Sequence, residues 1–385
     1  MSDTTKAPIH EWLAESIDAS VRRAIDRTAD WDDVQHVAVM PDVHLAGDLC
    51  VGMAIATTRL LYPAAIGGDI GCGMLTLAFD VEAASLRDGD AGAARAGRVL
   101  HALGRAVPGS RRHRSRRLPM PSNLKATKLS HSHLDAIARD EGSLQLGTLG
   151  GGNHFVELQA DEADDRLWLM IHTGSRAMGQ AVRHQHVAVA LAARPGEMPS
   201  LDASAEAGQA YLHDAAWASA YAEANRQAIA EGIIETLHEV IGAAPIESTQ
   251  ISIDHNHVRR EQHFGQDWFV HRKGAMPADA DLTGVVPGSM GTLSYHVEGR
   301  GCPESLRSSA HGAGRRFSRA AARERFSAVD VKHQLRHVWF DPRQTHTLRE
   351  EAPHAYKDVR SVLRAQEALV RVTRTLRPVL SYKAG

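Results

Sequence analysis

Cysteine is scarce in this 385-residue chain: Cys50, Cys72 and Cys302 are too few for a disulfide framework. A reducing, cytoplasmic setting is therefore expected, with each thiol serving as core filler or as a ligand. Net charge is equally scarce, at −2 from 44 basic and 46 acidic residues, which excludes a uniformly basic coat. No apolar run approaches the roughly 20 residues of a membrane span, and the opening Met1-Ser2-Asp3-Thr4-Thr5-Lys6 has no signal core, so no membrane partner is expected. Repeats and low-complexity linkers are missing too. With 43% hydrophobic residues, the chain reads as a single α+β domain over residues 1–385. What is plentiful is histidine, 23 in all, and arginine, since only seven of the 44 basic residues are lysine.

Short apolar or β-branched runs bounded by glycine predict strands at Val34–Met40, Gly52–Thr57, Leu75–Phe79, Leu167–His172, Gln250–Ile253 and Trp268–His271. Helical spacing predicts helices in Ala203–Ile241, Ala91–Leu103 and Val359–Leu376, the last stopped by Pro378. This alternation suggests many strands joined by functional loops, with the chemistry in those loops.

Those loops are rich in potential ligands. Gly67-Gly68-Asp69-Ile70-Gly71-Cys72-Gly73 sets a carboxylate and a thiol three residues apart on a backbone free to turn tightly. His154 follows Gly150-Gly151-Gly152-Asn153, His172 ends a strand-like run, and His255 follows another in Asp254-His255-Asn256-His257. Taken singly, each has an ordinary reading as a glycine turn with a buried thiol or as a satisfied histidine. Together they point to a transition-metal site. Two small-residue loops, Pro287-Gly288-Ser289-Met290-Gly291-Thr292 and Ser308–Arg319 with His311-Gly312-Ala313-Gly314 at its centre, expose backbone N–H groups beside arginines, an arrangement suited to phosphate.

The motifs Met40-Pro41-Asp42-Val43-His44, Gly68–Met74, Gly151–Glu157, His172–Gly179, His255-Asn256, His271–Ala275, Pro287–Thr292, His311–Arg319, Ala355–Asp358 and Lys383 run in one order along the chain. In that order the sequence resembles the RtcB family of RNA ligases, as a shorter, divergent member, and the resemblance implies a central β core surrounded by helices with the active site built from glycine-rich loops. The resemblance implies ligation of RNA 3′-phosphate or 2′,3′-cyclic phosphate ends to 5′-hydroxyl ends, in RNA repair or tRNA splicing, with GTP and two Mn²⁺ ions. It places Asp69, Cys72, His154, His172 and His255 as metal ligands, with Cys72 bridging. One ion would take Cys72, His154 and His172, and the other Asp69, Cys72 and His255.

By the same resemblance His311 is the histidine that becomes guanylylated, and Asp42 lies near it to orient the ring or the leaving group. Asn153, His154, Phe155, Val156, Glu157, His255, Asn256, Pro287, Gly288, Ser289, Met290, Ser294, His311, Gly312, Ala313, Gly314 and Lys383 are expected to line the guanylate site. Glu157, Ser294 and Lys383 would lie near the base, and Tyr356 would stack on it. The resemblance also admits an archease-type activator as a partner. The sequence departs from the family pattern at Leu45-Ala46-Gly47-Asp48-Leu49-Cys50, which is expected to border the substrate side.

Two other classes use parts of the same inventory. A dinuclear metal-dependent phosphodiesterase or nuclease would need the ligand set alone, and His255-Asn256-His257 superficially forms a nuclease-type HNH triplet. A non-catalytic RNA-binding protein would need only the basic loop Arg111-Arg112-His113-Arg114-Ser115-Arg116-Arg117. Substituting that loop's arginines is expected to weaken RNA affinity while sparing guanylylation. If gel-shift and GTP-labelling assays show both falling together, the loop is structural.

Overall fold

A computed structural model of the protein describes residues 6–112 and 116–384, so His113, Arg114 and Ser115 of the basic loop lie outside the described residues. Period-two alternation divides the side chains of its strands between separate cores. In the strand Val34–Ala46, Val37 and Val39 pack with Val21 and Ile25 of the helix Ala19–Ala29, while Ala38 and Met40 face the other way. In the strand Gly73–Glu82, Leu75 and Leu77 meet Val99, Leu103, Ile229 and Ile233, while Met74 joins Met40 in the other cluster. The result is four layers: a helix, two sheets enclosing a shared core, and the helices Gly89–Ala106 and Glu206–Ile241.

One sheet has five strands in the order Ile9–Glu11, Val34–Ala46, Leu49–Thr57, Gln266–Lys273 and Asn256–His263, and only its first pair is parallel. The other has seven antiparallel strands in the order Thr283–Val286, Ser294–Gly299, Val370–Tyr382, Phe155–Asp161, Arg166–Thr173, Gly73–Glu82 and Pro245–Asp254. The chain crosses between the sheets through the single residue His255, which separates Pro245–Asp254 from Asn256–His263. Among the described residues, no helix is long and apolar enough to cross a membrane.

All six predicted strands are present within longer ones, and two predicted helices are found as Gly89–Ala106 and Glu206–Ile241. The third is corrected. Val359–Ala365 is helical, but Val370–Tyr382 is a strand that joins the two halves of the large sheet. Four of the six residues in Val370-Arg371-Val372-Thr373-Arg374-Thr375 are β-branched, and pairing of the strand on both sides overrides any helical preference. Pro378 does not end the element. It sits at a register irregularity in the pairing with Phe155–Asp161, where a missing N–H is tolerated.

The long helix Glu206–Ile241 carries two buried polar residues toward the loops at one end of the large sheet. Arg226 donates to the carbonyls of Gly71 (2.7 Å) and Thr173 (3.1 Å), and Asn225 accepts from the N–H groups of Gly147 (2.8 Å) and Thr148 (3.2 Å). Truncating the buried guanidinium leaves two carbonyls without donors. Arg226→Met is expected to destabilise the protein by about 2–4 kcal/mol in urea unfolding; a loss below about 0.5 kcal/mol would show that water reaches those carbonyls.

Candidate active site

Four neighbouring strands bring the predicted ligands to one end of the large sheet. Gly73 pairs with Thr173 on one side and Asp254 on the other, and Phe155 pairs with His172. Cys72, His154, His172 and His255 therefore stand at adjacent strand ends although they are far apart in the chain. Asp69 is added by a tight turn in which the Cys72 N–H donates to the Asp69 carbonyl at 3.1 Å. Gly71 has a φ of +71° in this turn and abuts the long helix, where a Cβ would lie 2.7 Å from Ser219 Cα. Gly174 is required by proximity alone, since its Cβ would fall 2.2 Å from Asp69 Oδ1.

The donor atoms converge. Cys72 Sγ lies 3.2 Å from His172 Nε2 and 3.7 Å from His154 Nε2. His172 Nε2 lies 3.3 Å from His255 Nε2, and His154 Nε2 lies 2.8 Å from Asp69 Oδ2. They form two groups sharing the thiol: Asp69, Cys72 and His154 in one, and Cys72, His172 and His255 in the other. This corrects the expected partition, in which His154 and His255 were exchanged. The distances carry the regrouping: the His154 ring turns its Nε2 onto the Asp69 carboxylate, while the His172 ring meets that of His255.

The surroundings suit divalent cations. Nδ1 of His154 is 2.9 Å from the Leu149 carbonyl and Nδ1 of His172 is 3.2 Å from the Asn153 carbonyl. Donation there places the ring proton on Nδ1 and turns an Nε2 lone pair to the cluster. Burial lowers the pKa of His172 and His255 well below the usual imidazole value, keeping them neutral as ligands must be. Burial, reinforced by Asp69, raises the Cys72 thiol well above its usual value, so its ionisation calls for a cation. Burial also disfavours the Asp69 carboxylate, but neighbouring His154 outweighs it and brings its pKa down to about 2. Carboxylate, imidazole and thiolate together fit Mn, Co or Zn better than Mg or Ca.

His311 stands next to this cluster, its ring centroid 4.6 Å from that of His255. Behind it, Asp42 is fully buried with Oδ2 2.7 Å from His311 Nδ1, a contact within ion-pair range though poorly aligned for a hydrogen bond. That contact leaves Nε2 as the ring nitrogen free to react. The strand segment holding Asp42 is pinned by the buried Lys357, whose ammonium donates to the carbonyls of Val43 (2.8 Å) and Pro41 (3.2 Å). His44 adds a ring contact of 2.9 Å to the Asp42 carbonyl.

A cavity of about 660 Å³ opens over His311 and the donors, a volume ordinary for a nucleotide-sized ligand. Asn153, Phe155, Glu157, His255, Asn256, Pro287, Gly288, Ser289, Met290, Ser294, His311, Gly312, Ala313, Gly314, Tyr356 and Lys383 all line it. Val156 does not: alternation along Phe155–Asp161 turns it into the core with Leu158 and Ile171, away from the site. His154 is spent on the donor cluster, and Asp42 lies behind His311 rather than on the wall. The departure Leu45–Cys50 does border the cavity at Leu45, Ala46 and Gly47. Asn256 is tied on both sides, donating to the Asp69 carbonyl (3.1 Å) and accepting from the Gly274 N–H (2.7 Å), so it holds the Asp69 turn in place.

Glu351 was missed from sequence and anchors one wall. Its carboxylate gathers Arg315 (3.2 Å), Arg319 (3.3 Å), Lys383 (3.7 Å) and the Tyr356 hydroxyl. Burial opposes its ionisation, but Lys383 and Arg315 outweigh burial and hold its pKa below the usual value. Arg315 also lies 5.0 Å above the Tyr356 ring, taking up one face. Nothing in the local pattern around Glu350-Glu351 marks this residue. Arg315 and Arg319, read from the sequence as basic neighbours suited to phosphate, also line the cavity, as does Lys273, which had no role assigned.

Two sequence readings are revised. His257 is not part of a nuclease triplet: it is buried, with Nδ1 3.0 Å from Asp254 and Nε2 3.1 Å from Arg272, in a network away from the donors. In the basic loop, Arg112 donates to the carbonyls of Gly147, Leu146 and Ala106 and Arg111 pairs with Glu141, so these two arginines hold the loop down. Arg116 and Arg117 are exposed.

A thiol- and imidazole-rich donor cluster beside an Asp–His pair, opening on one large cavity, defines a candidate metalloenzyme. The RtcB family, described as tRNA-splicing ligase RtcB, matches residues 25–384, and the chain belongs to it. It is 35% identical to the RNA-splicing ligase RtcB1 of Escherichia coli, over 99% of this chain and 98% of that one. It is 29% identical to the RNA-splicing ligase RtcB2 of the same species, over 95% and 93%, and 32% identical to the tRNA-splicing ligase RtcB of Nanoarchaeum equitans, over 66% and 64%.

Glu157 offers a pH test. Burial pushes its pKa up to about 8, against the opposing pull of Lys383 and the Gln159 amide. The folded state therefore keeps a proton that the unfolded chain releases near pH 4.5, and stability falls as pH rises between about 4.5 and 8, by at most about 1.4 kcal/mol per unit. Glu157→Gln is expected to flatten that slope, so that in urea unfolding it gains on the wild type between pH 5 and pH 8. An equal difference at both pH values would show that Glu157 is ionised in the folded protein.

Proposed function

We propose that this RtcB-family protein is a GTP- and manganese-dependent ligase that joins RNA 3′-phosphate or 2′,3′-cyclic phosphate ends to 5′-hydroxyl ends through a covalent His311–GMP intermediate. The observation that carries the reading is His311 itself: one ring nitrogen faces the buried Asp42, and the ring lies beside a ligand histidine in a nucleotide-sized cavity. Its three free cysteines are in keeping with a cytoplasmic setting.

Metal ions held by Asp69, Cys72 and His154 and by Cys72, His172 and His255 would polarise phosphate oxygens and offset the charge of departing pyrophosphate. The remaining work falls to the chain. His311 Nε2 attacks the α-phosphorus of GTP, the phosphorus–nitrogen bond forms, and the bond to pyrophosphate breaks. Asp42 holds the ring in orientation and stabilises the cation that forms on it. A terminal phosphate oxygen of the RNA 3′ end then takes the guanylyl group, and the electron pair of the broken phosphorus–nitrogen bond returns to His311. The 5′-hydroxyl of the second RNA attacks that end, GMP leaves, and a 3′,5′-phosphodiester remains. A cyclic phosphate must first be opened to a 3′-phosphate. Glu157, Ser294, Lys383 and Tyr356 line the same cavity, which supports reading of the base by the first three and stacking of Tyr356 on it.

Incubation with α-labelled GTP and Mn²⁺ followed by denaturing electrophoresis tests the reading. Acid-labile label is expected on the wild type and absent from His311→Ala. Unlabelled wild-type protein that still binds metal would instead favour hydrolysis of phosphodiesters by the same donor cluster, since water would then be the nucleophile.

A further inference from the structure

A second cavity, of about 630 Å³, lies apart from the His311 site, between the segment 117–129, the short helical stretch from Ser132–Ile137 through Ala138–Gly142 and the long helix. Its rim carries the exposed side chains of Arg117, Lys125, Lys128 and Arg139. None of the four has an ion-pair partner among the described residues, although arginines elsewhere on the surface, such as Arg87, Arg260 and Arg371, are paired. The carboxylate on the lining, Asp135, already accepts from the Leu129 N–H at 3.1 Å. The rim is thus a concentration of unpaired positive charge on a chain of near-zero net charge.

The floor is of the opposite character. Leu124 and Leu129 are buried there, and Trp217 is fixed by donation from its indole N–H to the Leu124 carbonyl (3.0 Å) and by stacking on Tyr221 at 5.6 Å. Cations above a rigid aromatic and aliphatic floor match a ligand with phosphates on one side and a flat base on the other, in a volume that takes one or two nucleotides. An acidic protein segment would satisfy the rim but has no use for the floor.

One helix, Glu206–Ile241, borders both the cavity and the catalytic end. Trp217 lies on the same helix as Arg226, about 13 Å along its axis, and Arg226 binds the Gly71 and Thr173 carbonyls beneath the donors. That distance is about the rise of four stacked nucleotides along one strand. Resting on the reading of the chain as an RNA ligase, we infer that this cavity is a docking site for a single-stranded segment of the RNA substrate, remote from the ends being joined.

The test uses the full chain carrying Lys125→Ala, Lys128→Ala and Arg139→Ala together, with a labelled single-stranded RNA ending in a 3′-phosphate, followed by fluorescence anisotropy over a salt series. Affinity is expected to fall about tenfold or more at low salt, and the slope of log K against log salt to shrink by about 2, at roughly 0.7 for each phosphate no longer neutralised. Labelling by GTP is expected to be unchanged, which also certifies that the variant is folded. The charge-conserving triple variant Lys125→Arg, Lys128→Arg and Arg139→Lys should bind as the wild type does. Unchanged affinity and slope in the alanine variant, as an acidic protein occupant would give, overturns the inference while leaving the ligase reading intact. So does loss of GTP labelling in step with RNA affinity. Failure of the wild type to bind RNA at all would sink both.

Discussion

The site depends on one buried cation. Arg226, 2% exposed, reaches from the long helix to the carbonyls of Gly71 and Thr173, the residues adjoining Cys72 and His172. Through those contacts the helix fixes the relative position of the two strand ends that supply the shared thiol and the central histidine. Its neighbour Asn225 does the same for the turn leading to His154, binding Gly147 and Thr148 on one side and the Gly174 carbonyl (3.3 Å) on the other. Donor atoms must be held to a few tenths of an ångström to select a metal, and loops alone do not achieve that. Here the loops are short, and each is fastened to a helix that the hydrophobic core already holds rigid.

Antiparallel pairing explains why the ligands are so widely spaced along the chain. A strand that ends at the site returns to it only after a hairpin or a helical excursion, so neighbours in space are separated by whole elements in sequence. His154 and His172 are divided by one hairpin, but His172 and His255 by the two helices Ala177–Ala193 and Glu206–Ile241. The pairing brings the four strand ends together, and the direction each ring then takes decides which donor atoms meet.

That distinction marks where the sequence was legible. The residues whose donor atoms converge were readable because glycines and strand ends mark them: the Asp69–Cys72 turn, the run before His154, and the histidines closing two strands. Their grouping was not, since it depends on how rings from distant segments turn toward one another. The strand Val370–Tyr382 was hidden for a related reason. Val359, Val362, Leu369 and Val370 have helical spacing, and only pairing with Ser294–Gly299 and Phe155–Asp161 reveals the second period. Val156 was assigned to the cavity because its neighbours belong there, although alternation in a strand sends adjacent residues to opposite faces. Glu351 had no signal at all: a carboxylate acquires meaning there only when Arg315, Arg319 and Lys383 converge on it from distant parts of the chain.

Charge accounting ties the site to its substrates. The donor cluster holds one carboxylate, one thiol and three imidazoles, so fully deprotonated it carries two negative charges. Two divalent ions would leave two positive charges uncompensated, and the nearby Arg226 adds to the excess. In a buried setting such an imbalance is costly until anions arrive. The cavity wall beyond His311 continues the pattern, for Glu351 is outnumbered by Arg315, Arg319 and Lys383. A centre built in this way would be completed by polyanions, and under the proposed function a nucleoside triphosphate or an RNA end would supply what the chain itself withholds. Near-neutral net charge is therefore compatible with an RNA substrate, because attraction is concentrated at the reacting groups and, with a strand docked beside Trp217, at one further cavity.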